Sequence, residues 1–410
     1  MDRAILHCDM NNFYASVECM LNPSIKDKPV AVCGSQKDRH GIVLAKNYHA
    51  KDHGVKTGDT IWQAQNKCKD IVIVDTPHFD EYAKYSKLAR NLYREYTDLV
   101  EPMGLDECWL DVTASTKLFG PPEKIANELR EKVKSKFNLT ISVGVSFNKT
   151  FAKLGSDMKK PDATTIITRD NFKTIVWPLP VSDLFGVGRR TYEKLKQQFI
   201  YTIGDLANTK KERLKNLFGK NGIYLYEAAN GLENDEVQKY DELDEVKSIS
   251  HGITTVNDLK NNDEVWSVML ELAQEIGYKL RSKELRANGV YVSIRDDKLL
   301  WEQYQKRLRS SEQSAINIAK YAFKLFKERY NWDRNIRTVT IGVTNLSAED
   351  KPEQLSIFDC IENKGKIEKA EKVMEELNLR YGEEIVKNAT LMKNDNLPNS
   401  RRKMKYNDEK

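Results

Sequence analysis

Two short acidic segments constrain this chain more than anything else in it: His7-Cys8-Asp9-Met10-Asn11-Asn12-Phe13-Tyr14, and Gly104-Leu105-Asp106-Glu107-Cys108-Trp109-Leu110-Asp111. Each sets a carboxylate at the end of an apolar, strand-like run. Mg²⁺ takes hard oxygen ligands, usually a few carboxylates completed by water and substrate phosphates. Together the segments read as a site for paired Mg²⁺ ions, whose chemistry is phosphoryl or nucleotidyl transfer. Asp106 and Glu107 pose a geometric problem, because neighbours in a regular strand face opposite sides. Both can reach metal only if the hairpin turns or bulges there, which Gly104 allows. Taken without Asp9, the pair reads equally as two surface acids at a turn.

At 410 residues the chain exceeds one ordinary core, and about 100 to 200 residues per domain predicts two to four domains. The net charge of +5 names no partner unless the charge is clustered. It is: residues 189–220 hold nine Lys or Arg against three acids, and the stretch from Glu233 to Glu245 reverses the sign. The six cysteines form no C-x-x-C pair and no metal-ligand spacing with the six histidines, so reduced, mostly buried thiols are expected. The N-terminal apolar run is too short for a signal-peptide core, and no run of about 18 apolar residues occurs. A cytoplasmic protein without membrane contact is expected.

Periodicity predicts strands at Ala4–Cys8, 28–33, 41–45 and 70–75, and helices at Asn12–Met20 and Asp80–Val100. A hairpin near 104–113, a helix Glu123–Phe137, a strand Leu139–Val145 and a lysine-bearing helix Lys149–Lys159 complete an α/β unit. From Val181 short helices with Gly punctuation take over. Phe185-Gly186-Val187-Gly188, followed by the basic helix from Arg189 and Arg190, matches a helix-hairpin-helix turn whose backbone N–H groups face a phosphate. Residues 217–222 read as a poorer second copy. From Val246 the order is β-α-β-β-α-β, a sheet with helices on one face. Lys247, Arg295, Lys298, Lys306 and Arg307 are expected on an exposed basic face that tracks a nucleic-acid backbone, the alternative being a merely solvated face. Beyond Leu346 a mobile tail is expected, with an amphipathic stretch at Ile367–Leu379.

Several motifs carry a resemblance: Asp9-Met-Asn-Asn-Phe-Tyr-Ala-Ser-Val-Glu18, Asn47-Tyr-His-Ala-Lys51, Asp106-Glu107, Ser142-Val-Gly-Val-Ser146 and Phe151-Ala-Lys-Leu-Gly-Ser-Asp-Met-Lys-Lys-Pro161. From residue 1 to about 346 the chain resembles the bacterial Y-family translesion DNA polymerases, of the DinB and UmuC kind. The resemblance implies a multi-domain α/β right-hand polymerase. Its palm would be 1–10 and 76–165, small fingers 11–75, a helix-hairpin-helix thumb 166–232, an acidic linker 233–245, a β-α-β-β-α-β little finger 246–346 and a tail 347–410. It assigns Asp9, Asp106 and Glu107, with the Met10 carbonyl, to two Mg²⁺ ions. Tyr14 takes the position of a steric gate against a 2′-hydroxyl, with Phe13 packed beneath it. Tyr48, Lys51 and Lys160 fall on triphosphate-binding positions, and Gly186, Gly188, Arg189 and Arg190 on the DNA-binding turn. Lys51 stands where many members carry Arg and cannot supply the bidentate fork. It resembles the UmuC branch, whereas Tyr48 resembles the other.

Gln354-Leu355-Ser356-Ile357-Phe358-Asp359 is similar to the peptide by which bacterial polymerases hold the sliding clamp, with Gln354, Leu355, Ile357 and Phe358 as anchors. The implied activity is error-prone, DNA-directed synthesis past damaged bases by a monomer acting on primer-template DNA and dNTPs. An accessory subunit of the UmuD kind or a recombinase filament stays open as a further partner. Two rivals also stay open: another palm-type two-metal enzyme such as a nucleotidyl cyclase, and a non-catalytic DNA-binding scaffold descended from a polymerase.

Overall fold

The apolar run that leads to Asp9 forms β1 (Ile5–Met10), every residue of it buried. The computed structural model describes residues 2–35, 41–240, 246–351, 361–382 and 385–391. The clamp-type peptide Gln354, Leu355, Ile357 and Phe358 lies outside the described residues. The chain divides into two compact units, one of residues 1–32 and 43–243, the other of 33–42 and 244–410.

In the first unit α1 (Phe13–Leu21), β2 (Val30–Cys33), β3 (Val43–Lys46), α2 (Tyr48–Asp52), α3 (Ile61–Lys67) and β4 (Val72–Val74) follow β1. Then come α4 (Phe79–Arg94), the hairpin β5 (Val100–Met103) and β6 (Glu107–Asp111), α5 (Thr116–Phe119), α6 (Pro122–Phe137), β7 (Ile141–Ser146), α7 (Lys149–Met158) and β8 (Thr164–Ile166). The main sheet has the order β5-β6-β1-β7-β8, so β1 sits at its centre, antiparallel to β6 and β7. A smaller sheet, β3-β2-β4, is formed by residues between α1 and α4. Five short helices complete the unit: α8 (Phe172–Ile175), α9 (Arg189–Gln197), α10 (Ile203–Asn208), α11 (Lys211–Phe218) and α12 (Lys220–Ala229).

Period-two alternation decides what each face of the main sheet does. Leu6, Cys8 and Met10 enter a core with Tyr82, Leu92 and Tyr93 of α4 and Ile125, Leu129 and Val133 of α6. Ile5, His7 and Asp9 point the other way, toward α7. That helix lies unusually close to the strands. A Cβ added at Gly144 would fall 1.8 Å from the Ala152 carbonyl oxygen and 2.5 Å from the Ser156 nitrogen, and Gly155 lies against the Gly144 Cα. The glycine of the Ser142–Ser146 motif therefore sets how near α7 can come, and so where its side chains reach. Residues 233–240, read from the sequence as linker, are packed here: Val237 joins Ile5, Trp109 and Ala152, and Glu233 accepts from the Thr150 N–H.

The second unit carries β9 (Ser248–Leu259), α13 (Asn262–Ser282), β10 (Leu285–Asp296), β11 (Trp301–Glu312), α14 (Ala315–Arg329) and β12 (Ile336–Ala348), the β-α-β-β-α-β order expected. Its antiparallel sheet, β11-β10-β12-β9, buries Val290, Val292, Ile294, Val339 and Ile341 under the two helices. The strands outrun their apolar cores because only alternate residues need to be apolar when one face is open.

The tail departs from expectation. α15 (Ile361–Tyr381) is ordered against this unit by charge. The Arg281 side chain, 6% exposed, is 2.8 Å from Glu371 and also bonds Glu375, while Arg286 pairs with Glu368 at 3.1 Å. Glu371 further accepts from Ser314 Oγ and the Ala315 and Ile316 N–H groups, capping α14 from another helix. These partners lie 55 to 94 residues apart in sequence, which no local pattern reveals.

If the Gly144 contact sets the seat of α7, Gly144→Ala must push backbone against backbone. A loss of about 3 kcal/mol or more is expected, at the upper end of overpacking costs, read as a clear fall in melting temperature. An unchanged melting temperature would show that the helix is not held at this separation.

Candidate active site and nucleic-acid interface

The two acidic segments meet because β1 and β6 are neighbours in register. Asp9 pairs directly with Glu107, and His7 with Trp109, so these four side chains share the face toward α7. Asp106 precedes the strand, in the turn after Met103, where Gly104 has φ +75°. The turn is pinned to α4: Arg90 donates to the Gly104 carbonyl at 2.7 Å and Ser86 to that of Leu105. Met10 donates its N–H to the Asp106 carbonyl at 3.0 Å, drawing the turn to the end of β1. The difficulty of adjacent acids is thus resolved by a turn residue followed by a strand residue.

Two lysines, Lys153 on the sheet-facing side of α7 and Lys160 just past its end, meet these carboxylates. Lys153 Nζ is 2.6 Å from Glu107 Oε2, and Lys160 Nζ is 2.7 Å from Asp9 Oδ2 and 2.9 Å from Asp157. Lys160, expected at the triphosphate, is here a carboxylate partner. Lys153 was not singled out from the sequence, although it stands inside the Phe151–Pro161 motif. Burial raises the proton affinity of Asp9 to about 7, against the pull of Lys160 and with help from Glu107 and Asp157. Burial and then the Glu107 charge raise Asp106 as well. Burial also opposes the charge of Glu107, but the His7 ring and the Lys153 ammonium outweigh it and draw the group down to about 2.

The Tyr14 ring is held from an unexpected quarter. It stacks on Tyr82 of α4 with centroids 4.3 Å apart and 10° between planes, and Phe79 meets it edge-on. Phe13 is buried beside it at 5.6 Å and tilted 48°, so it supports Tyr14 without lying flat beneath it. The Tyr82 hydroxyl donates to Glu18, a carboxylate buried to 3% exposure that also accepts the His78 N–H. Glu18 is the last residue of the first motif, and its role is to anchor this stack. Tyr48 opens α2, where Asn47 caps the helix by accepting from the Ala50 N–H and ties it to β2 through Val30. The Lys51 ammonium lies 5.6 Å from the centre of the Tyr48 ring.

At the Gly186–Arg190 turn, the first arm of the expected helix pair is only a single 3₁₀ turn, Val181–Asp183. Gly186 has φ +89°, Val187 is buried, and Gly188 precedes α9 with no atom near its Cβ position. Arg189 projects into solvent, 3.1 Å from Glu193, and Arg190 is exposed. At residues 217–222 two helices, α11 and α12, meet at Gly219 with φ +62°, and they pack so closely that a Cβ at Gly222 would lie 2.0 Å from the Leu214 carbonyl.

The basic sheet face predicted in the second unit is not one face. Lys306 and Arg307 are strand neighbours and must diverge. Arg307 pairs with Gly289 and Arg295 with Trp301 on the helix-free side. Lys306 pairs with core-facing Val290 and lies 3.6 Å from Glu328 of α14. Lys298 is in the β10–β11 turn and Lys247 precedes β9. The open face itself is mostly neutral, with Ser250, Thr254, Ser293, Thr338 and Thr340.

Comparison with known proteins agrees with the motifs. The impB/mucB/samB family model matches residues 8–157 and its C-terminal domain 246–357; a DNA polymerase-iota thumb-domain model matches 182–233. DNA polymerase IV of Acetivibrio thermocellus is 47% identical over 97% of this chain and 99% of its own length. DNA polymerase IV 1 of Bacillus subtilis is 37% identical over 96% and 94%. A solved chimeric Y-family DNA polymerase covers 84% of this chain and 99% of its own, with a TM-score of 0.75 at 24% identity, and so shares the fold. With motifs, relatives and fold in agreement, the chain belongs to the impB/mucB/samB family, the Y-family DNA-directed DNA polymerases.

Proposed function

We propose that this polymerase performs error-prone translesion synthesis, with nucleotidyl transfer run by two divalent ions at Asp9, Asp106 and Glu107. The observation that carries this reading is the convergence of the three acids at one end of the sheet. Burial raises the proton affinity of Asp9 and Asp106, and a bound divalent ion would offset this by favouring their charged forms. Carboxylate oxygens and the Met10 carbonyl are donors for Mg²⁺ or Mn²⁺. No cluster of three or more His, Cys, Asp or Glu side chains that could hold a metal ion is present among the described residues. When bound, the ions would activate the primer 3′-hydroxyl and neutralise charge on the triphosphate and departing pyrophosphate.

The chain's own residues have distinct parts. Lys160 and Lys153 hold the charge of Asp9 and Glu107 without metal, and Lys160, a quarter exposed, turns to the triphosphate once Asp9 is otherwise engaged. Tyr48 donates a hydroxyl and Lys51 a point charge to the same phosphates. Tyr14, fixed by its stack on Tyr82, excludes a ribose 2′-hydroxyl. The Gly186–Gly188 turn offers backbone N–H groups, with Arg189 and Arg190, to a DNA phosphate. The open sheet face of the second unit lies along the duplex, using Arg295 and Arg307.

In this reading the palm is 1–10 and 76–165, the fingers 11–75, the thumb 166–232, the connection 233–245 and the little finger 246–346. Recruitment by a sliding clamp through Gln354, Leu355, Ile357 and Phe358 rests on sequence alone. No helix among the described residues is long and apolar enough to cross a membrane, and a cytoplasmic location is part of the proposal.

Primer extension on undamaged and abasic templates tests the reading. Asp106→Ala should abolish synthesis while DNA binding persists, and Tyr14→Ala should raise ribonucleotide use by about 10- to 100-fold, the scale of a lost steric contact. Synthesis that survives Asp106→Ala would sink the metal-site assignment. Asp9 offers a second test. A carboxylate whose proton affinity is raised in the fold loses stability as pH climbs from its unfolded value, about 3.9, toward about 7. At pH 8 Asp9→Asn should therefore melt at or above the wild-type temperature while losing synthesis. A marked fall in melting temperature would show that the Lys160 pair stabilises the fold instead.

A further inference from the structure

His7 takes no part in the chemistry above, yet it is wholly buried two residues before Asp9. Its Nδ1 lies 2.8 Å from Ser156 Oγ on α7. Its Nε2 is a buried atom with no hydrogen-bond partner among the described residues, and Glu107 Oε2 stands 3.5 Å away. A buried polar atom left unsatisfied costs roughly 1–3 kcal/mol.

Proton bookkeeping separates two arrangements. Ser156 has one hydroxyl proton and two acceptors in reach, His7 Nδ1 and the Lys153 carbonyl at 2.7 Å. If the proton goes to the carbonyl, His7 Nδ1–H must donate to Ser156. The neutral ring then turns a lone pair toward a carboxylate, which is repulsive. If the proton goes to Nδ1, the ring carries its hydrogen on Nε2 and aims it at Glu107 Oε2, which is attractive. The Lys153 carbonyl loses little in that case, because it lies inside α7 and keeps its helical N–H partner. Glu107 Oε2 would then receive two donors, since Lys153 Nζ already reaches it at 2.6 Å. Oε1 alone is left to face the site.

We propose that Ser156 and His7 form a positioning pair for Glu107: the serine fixes the Nε2–H tautomer, and His7 fixes the carboxylate so that one oxygen is presented to a divalent ion. The pair acts through Glu107 and touches neither substrate nor metal. Partners of this kind behind a metal ligand are typically worth about 10- to 100-fold in metal affinity. The inference rests on the reading of Glu107 as a metal ligand.

Two measurements on the full chain test it. The first needs no variant: nitrogen NMR of histidine-labelled, metal-free protein reports which ring nitrogen of His7 carries hydrogen. Nε2–H is expected, and Nδ1–H would overturn the proposal. The second is Mn²⁺ affinity, measured by electron paramagnetic resonance with primer-template DNA and an unreactive nucleotide analogue. His7→Leu and Ser156→Ala should each weaken Mn²⁺ binding about tenfold or more. His7→Gln, which restores an N–H near the Nε2 position, should recover most of that loss, and dNTP KM at saturating metal should not move. Ser156→Ala keeps the ring in place and covers the case in which His7→Leu fails to fold. Glu107→Ala separates the two levels: if it leaves Mn²⁺ affinity unchanged, the metal reading fails, whereas if it weakens binding and the His7 and Ser156 variants do not, only the positioning role fails.

Discussion

The seating of α7 on the central strands is the contact from which the rest of the site follows. Gly144 on β7 pairs with His7 on β1, and above it the Ala152 carbonyl occupies the space that any side chain would need. Gly155 returns the favour from the helix side. This close approach carries Lys153 and Ser156 to the face of the sheet that holds Asp9, Glu107 and His7. A helix seated a few ångströms higher would leave the two carboxylates without cations and His7 without its serine. Packing thus comes before electrostatics here, because the charges are brought together by a backbone contact that only glycine permits.

The charges themselves are arranged at some expense to the fold. Asp9 and Asp106 are acids that burial would prefer to keep protonated, while Glu107 is held ionised by its neighbours. Adjacent carboxylates with unlike tendencies are a common sign of a functional site, where stability is given up for chemistry. The lysines that answer them are point charges on flexible stems. The Tyr14 side of the site uses a different device. A neutral stack, Tyr14 on Tyr82, is immobilised by a buried carboxylate, Glu18, so that the ring offers a fixed wall.

Much of this was legible in the sequence for definite reasons. Acids that close apolar runs stand out, and Gly104 announced the turn that frees Asp106 from strand alternation. The β-α-β-β-α-β order could be read because both periodicities are regular there. What escaped depended on contacts distant in sequence. Tyr82 looked like one more apolar position on a helix, and nothing local shows that it lies flat on Tyr14. Lys153 sat in a motif, but its partner is 46 residues away. Lys306 and Arg307 were placed on one face although strand alternation forbids it, and the ion pair with Glu328 shows where the lysine goes. The tail helix was read as mobile because its anchors, Arg281 and Arg286, belong to another part of the unit.

The most direct test of the metal-site account is anomalous diffraction from crystals of the chain with primer-template DNA, an unreactive nucleotide analogue and Mn²⁺. Two manganese peaks should appear in bonding contact with Asp9, Asp106 and Glu107, with Lys160 turned away from Asp9 toward the triphosphate. Peaks elsewhere, or none beside these carboxylates while Lys153 and Lys160 keep their present partners, would contradict it.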